Sequence, residues 1–208
     1  MAGLGLGPED FALFEIEDAG ARAAALEGVL SPKLRLLADH SLAGLTRVAG
    51  RGLHAHGAAV TPHRGRPPEE VLVAFSESER GFRGVPFLAV LLTRGHLHAR
   101  VGVRGESPLR EAMADALRRE APSLARRGKP FRRLRQFVGW NHEDLPELAP
   151  AHSAAFWEEM AEAVAPGRAG LDLGVAIPAA EARNLALGDL LGTFRDLAPL
   201  YKVLAPPR

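Results

Sequence analysis

An α+β fold with a mainly antiparallel sheet and flanking helices is what this sequence predicts, from three observations. Ala- and Leu-rich stretches with few β-branched residues stand near both ends of the chain, short β-like runs follow one another between them, and two of those runs are joined by only Arg94-Gly95. A two-residue connection is that of an antiparallel hairpin, because parallel neighbours need a crossover of a dozen or more residues. Helices placed before, within and after such a meander fit an α+β arrangement rather than a doubly wound one. The whole chain, 1–208, is expected to form one domain, since 208 residues suit a single hydrophobic core and no stretch reads as a linker.

The elements follow in order. Ala19 to about Val48 favours helix, and Ser31-Pro32 inside it predicts two helices or one kinked helix, with serine as cap and proline in the first turn. Strands are expected at Leu53–Val60, Glu70–Phe75, Phe87–Thr93 and His96–Val103. Phe87–Leu92 is apolar without a break, as in a strand covered on both faces. Ser107-Pro108 opens a helix with Leu109, Met113, Ala116, Leu117 and Leu124 on one face. Gln136–Trp140 is expected to be a strand, Ser153–Val164 a helix burying Phe156, Trp157, Met160 and Val164, and Leu171–Ile177 the last strand. Pro178 then begins a helical segment.

Charge is unevenly placed. Residues 47–135 hold 18 Lys+Arg against 8 Asp+Glu, whereas residues 1–46 hold 3 against 7 and residues 136–208 hold 5 against 10. If this segregation survives folding, the central section attracts an anionic partner. Cysteine is absent, which excludes disulfides, thiol catalysis and thiolate metal sites and fits a reducing cytoplasm. The first ten residues lack a basic start and an apolar stretch, and no run approaches 18 apolar residues, so neither a secretion signal nor a membrane span is expected.

Several stretches resemble the YktB-like family, bacterial proteins with no assigned function. They are Asp10-Phe11 with Phe14 and Pro32-Lys33-Leu34; Val73-Ala74-Phe75 followed by Ser78, Arg80-Gly81-Phe82-Arg83 and Pro86; Gly174 with Ile177-Pro178; and Thr193-Phe194-Arg195, Leu197 and Pro199-Leu200-Tyr201-Lys202. The similarity runs from about Asp10 to Leu204. It implies one α+β domain with a mainly antiparallel sheet and supplies no activity. Two positions depart from the family pattern: Phe87 follows Pro86 where a histidine is associated with the family, and Asn141 stands in place of an acidic residue.

The candidate ligand-binding residues are Ser78, Arg80, Gly81, Arg83, Asn141 and His142. The first four belong to the polar turn Ser76–Gly84, where glycine-freed amides and two arginine forks suit a phosphate or carboxylate. A plain hairpin loop with Phe82 plugging the core edge is the structural alternative. Trp140-Asn141-His142-Glu143-Asp144 ends an expected strand, where His142 would serve as a base oriented by a carboxylate, or Asn141 and Asp144 would cap a turn. His54-x-His56 and His96-x-His98 each place two rings on one strand face, and neighbouring strands would bring four imidazoles together. No Asp or Glu nearby in sequence completes such a set, so no metal and no cofactor is expected.

Arg126–Arg135 is the densest basic run, but only Phe131 within it and Phe137 just after it are interleaved aromatics, which suits a small anion better than nucleic acid. Tyr201 is expected to bury its ring and hydrogen-bond through its hydroxyl. The function is therefore left unassigned. The leading expectation is a cytoplasmic binding protein for an anionic ligand. The alternatives are a hydrolytic or metal-assisted enzyme using His142 or the paired histidines, and a protein–protein adaptor.

Overall fold

The computed structural model describes residues 3–136, 151–166 and 170–205, apart from the side chains of Lys129 and Pro130. It is α+β, with a six-stranded sheet in the order β1-β2-β3-β4-β6-β5. The strands are β1 (His54–Gly57), β2 (Val71–Ser76), β3 (Phe87–Leu92), β4 (His96–Val103), β5 (Arg135–Gln136) and β6 (Leu171–Pro178). All five pairings are antiparallel. The helices are α1 (Pro8–Ala12), α2 (Ala19–Ala25), α3 (Ser31–Ala49), α4 (Arg110–Ala125), α5 (Ala154–Val164), α6 (Ala179–Ala182) and α7 (Leu187–Leu204). Among the described residues no helix is long and apolar enough to cross a membrane.

Proline 32 shapes the first helical stretch. It has no N–H to offer and its ring crowds the carbonyl four residues back, so an unbroken α-helix across it is disfavoured. The chain answers with one wide turn, Leu26–Leu30, in which the Ser31 N–H donates to the Leu26 carbonyl. The stretch is therefore one helical run with a local π-type widening rather than two separated helices. Lys33, in the first turn after it, reaches both oxygens of the buried Asp10 carboxylate at 2.8 and 2.9 Å and ties α1 to α3.

The period-two alternation of the strands separates two cores. Val73, Phe75, Leu88, Val90, Leu97, Val101, Leu173 and Val175 face the helices and form the main core with residues such as Leu34, Leu45, Leu117, Trp157 and Phe194. The other face carries Leu72, Ala74, Phe87, Ala89 and Leu91, joined by Ala58 and Phe82. α5 buries Phe156, Trp157, Met160 and Val164 as its spacing predicts. In α4 the helix begins only at Arg110, and Leu109, expected on the buried face, is the residue before the first turn and is exposed. Of the strand expected at Gln136–Trp140 only Gln136 lies within the described residues, where it belongs to β5.

The Tyr201 ring is buried as expected, but its hydroxyl has no hydrogen-bond partner among the described residues. Burial and then the Glu77 carboxylate push this phenol above its usual range, against the pull of Arg51. Because a buried unpaired hydroxyl is a cost, Tyr201→Phe is expected to leave stability unchanged or raise it by about 1 kcal/mol, as read from denaturant melts.

The charge segregation is partly cancelled in space. Arg94 meets Glu15 at 3.6 Å, Arg100 meets Asp172 at 2.8 Å and Arg118 meets Glu162 at 2.8 Å, so three arginines of the basic middle pair with the acidic flanks.

Candidate functional site

The second face of the sheet holds both a polar row and a cleft. Along β4, His96, His98 and Arg100 alternate with the core residues Leu97, Ala99 and Val101, so the three polar side chains share the face away from the helices. Arg100 and His98 are nevertheless fully buried. Arg100 Nη1 donates to Asp172 Oδ2 at 2.8 Å, and Nη2 lies 3.4 Å from His98 Nδ1. A guanidinium is donor-only, so His98 Nδ1 accepts and its ring proton sits on Nε2, 3.2 Å from Thr93 Oγ1. Thr93 Oγ1 in turn donates to the His96 carbonyl at 3.4 Å. A hydrogen-bonded row of polar groups thus runs along β4 beside the apolar residues of the second face.

Two glycines make room for it. A Cβ on Gly174 would strike the Ala99 carbonyl and lie 2.9 Å from Arg100 Cα and Cγ. A Cβ on Gly102 would lie 2.9 Å from Phe87 Cζ. Burial pushes the Asp172 carboxyl above the usual carboxylate range, against the pull of Arg100 and Arg104. Burial, helped by the nearby Arg135 charge, holds the His96 imidazole below the usual value of 6.5. The sign of this linkage makes His96 stabilising above pH about 6.5, and that contribution is lost as the pH falls through its folded-state pKa.

Beside this row lies a cleft of about 750 Å³. Its apolar part includes Ala58, Val60, Leu72 and Phe82. Its charged lining is balanced: Arg66, Arg83 and Arg104 against Glu69, Glu70 and Glu106. The Arg104 guanidinium stands 5.6 Å from the ring centroids of both Phe82 and Phe87, which meet edge to face at 5.2 Å. Burial holds Arg104 below the usual arginine range, the Arg83 charge adds to this, and Asp172, Glu70 and Glu106 oppose it. Arg66 and Arg83 make no ion pair within 4.0 Å among the described residues. A second cleft of about 470 Å³ lies at the β3–β4 turn, lined by Phe14, Arg22, Thr93, Arg94 and His96, and Glu69 borders both.

The expected site residues divide. Arg83 lines the large cleft. Arg80 is exposed and lies outside the cleft lining. Ser78 serves the turn itself: its hydroxyl accepts the Arg80 N–H at 3.2 Å, and its carbonyl accepts from Ser76 Oγ at 3.3 Å and from the His56 ring at 2.8 Å. Gly81 has φ +126°, where other residues are strained, and its carbonyl accepts from Ser76 Oγ at 3.2 Å. Asn141 and His142 lie outside the described residues.

The four strand histidines share a face but not a site. β2 and β3 stand between β1 and β4, so the pairs are three strand spacings apart, about 14 Å. His56 binds the turn, and no metal-holding group of His, Cys, Asp and Glu occurs among the described residues. In the basic run, Phe131 is buried against Trp157, with ring centroids 5.7 Å apart, and offers no surface for base stacking.

Arg104, Arg66 and the Arg100–Asp172 pair escape a reading by motif. Arg100 was signalled by its two-residue step from His98, the same alternation that singles out the histidine pairs. Asp172 carries the same signal in Leu171-Asp172-Leu173-Gly174.

The family model for a domain of unknown function, DUF1054, matches residues 7–201. The chain belongs to this family. Among curated relatives it is similar to a UPF0637 protein of Bacillus licheniformis, 29% identical over 124 residues, covering 60% of this chain and 59% of that protein. A UPF0637 protein of Staphylococcus haemolyticus is 33% identical over 99 residues, covering 48% and 49%. The matched stretches thus span about half to three-fifths of these relatives' length. The names of these relatives state no activity.

Proposed function

We propose that this DUF1054 protein binds a small anionic molecule bearing a flat or apolar group, in the cleft lined by Phe82, Arg83 and Arg104. The observation that carries this reading is the Arg104 guanidinium held against two aromatic rings beside the charge of Arg83. The Arg83 and Arg104 guanidiniums line one cleft, and each can give an anion charge-assisted hydrogen bonds. The apolar lining supplies burial area for the rest of the ligand, and the cleft's volume falls in the range of small-molecule sites. Three glutamates share the same lining, so recognition rests on local contacts with the arginines rather than on a single-sign field.

Thermal-shift titration with phenyl phosphate and with inorganic phosphate tests this. Phenyl phosphate at a hundred times its Kd is expected to stabilise the protein by about 2.7 kcal/mol. Arg104→Ala is expected to weaken binding at least tenfold and Arg83→Ala to weaken it as well, with the unliganded Arg83→Ala protein melting as the wild type does. No stabilisation of the wild type by either anion would defeat the proposal.

A further inference from the structure

The smaller cleft, of about 470 Å³ at the β3–β4 turn, contains none of Phe82, Arg83 or Arg104 and has polar groups of its own. In its lining Phe14 and Thr93 are buried, while Arg22 and His96 are half-buried. Arg22 comes from α2 and His96 from the start of β4, so only folding brings them to one cleft. Arg22 Nε donates to the Ile16 carbonyl at 2.6 Å, which anchors the guanidinium. Its two Nη groups have no hydrogen bond or ion pair among the described residues. The His96 ring nitrogens likewise have no hydrogen-bond partner there, although the ring lies 5.7 Å from that of His98. Glu15 and Arg94 answer each other at 3.6 Å. With His96 neutral the lining therefore carries no net charge, since Arg22 and Arg94 balance Glu15 and Glu69.

We infer that this cleft is a second ligand site, for a small carboxylate: the Arg22 Nη groups donate to the carboxylate oxygens and a His96 ring N–H adds a further donor. The site stands apart from the anion reading of the larger cleft and does not depend on it. A guanidinium fork matches a planar carboxylate with two parallel hydrogen bonds. Because Glu15 and Glu69 share the lining, a singly charged group suits it better than a phosphate dianion. Phe14 offers an apolar contact for the rest of the ligand, and the volume falls within the range of small-molecule sites. Binding is coupled to a proton. Burial and then Arg135 on β5 hold the free imidazole below 6.5, so it is neutral at pH about 7. The other charged or titratable groups set around it are His98 on its own strand, Arg94 at the turn, and Arg22, Glu15 and Glu69 on the cleft lining. A carboxylate adds one negative charge, and a proton on His96 restores neutrality. Affinity therefore rises as the pH falls through the His96 pKa of the bound form, and levels off below that of the free form.

NMR titration of isotope-labelled protein with benzoate, at about pH 8 and about pH 6, tests this. Saturable shifts are expected at the amides of Arg22, Gly95 and His96, with binding about fivefold tighter at the lower pH. The His96 ring is expected to titrate higher in saturating benzoate than without it. Arg22→Ala is expected to weaken binding at this cleft by about tenfold or more. His96→Gln keeps an N–H donor but cannot take up the proton, so it is expected to bind at both pH values with the affinity the wild type shows at the higher one. Shifts confined to Phe82, Arg83 and Arg104 overturn this inference and leave the reading of the larger cleft standing. Shifts at Arg22, Gly95 and His96 that do not depend on pH, or that survive Arg22→Ala undiminished, overturn it too, as does a pH dependence retained in His96→Gln. Should Arg22→Ala fail to fold, the wild-type pH series and His96→Gln still decide.

Discussion

Asp172→Ala is expected to lower stability by about 3–5 kcal/mol. Arg100 is only 1% exposed, and Asp172 holds its guanidinium at 2.8 Å; without the carboxylate, a buried cation loses this counter-charge. In a chain of this length, each kcal/mol corresponds to about 2–4 °C in Tm, so the loss is a fall of roughly 6–20 °C. The pair need not be stabilising relative to an apolar one. Desolvating two charges costs nearly what their attraction returns, so the double replacement Arg100→Met with Asp172→Leu is expected to recover most of the loss. Denaturant melts of the two variants check both halves of this account. A single variant melting within about 1 °C of the wild type would mean that Asp172 does not offset the Arg100 charge.

Gly174→Ala is expected to cost about 3 kcal/mol, at the upper end of ordinary overpacking. The added methyl would run into the Ala99 carbonyl and lie 2.9 Å from Arg100 Cα. Those atoms belong to β4, held between β3 and β6, so the backbone cannot step aside as a surface side chain would. Any shift that accommodates the methyl also moves Arg100 relative to Asp172. Equilibrium urea unfolding measures this cost, and wild-type stability in Gly174→Ala would show that β4 and β6 tolerate a wider spacing there.

Much of the fold was legible in the sequence because the sheet obeys period two. Phe87–Leu92 and His96–Val103 fall on strands β3 and β4 at nearly the expected bounds, and Arg94-Gly95 forms the expected tight connection. The single wide turn before Pro32 was less legible, since proline signals an interruption but not whether the helix breaks or widens. The candidate site was legible only in fragments. Arg83 was marked by its turn, but Arg104, just beyond β4, belongs to no motif and acquires its meaning from Phe82 and Phe87, which only tertiary packing brings beneath it. The histidine pairs share a face without forming a site for a related reason. Alternation fixes the face of a sheet, whereas the order of strands within it decides which residues meet. The charge surplus of the middle section is met only in part from the flanks, where Arg94, Arg100 and Arg118 find acidic partners far away in the chain.

The central claim, that the cleft lined by Phe82, Arg83 and Arg104 binds an anion, is tested most directly by an NMR titration of isotope-labelled protein with phenyl phosphate. Saturable shifts are predicted for the amides around Phe82, Arg83 and Arg104, with little change at Arg132 and Arg133. Shifts centred on Arg132 and Arg133 instead, or no saturable shifts at all, would contradict it.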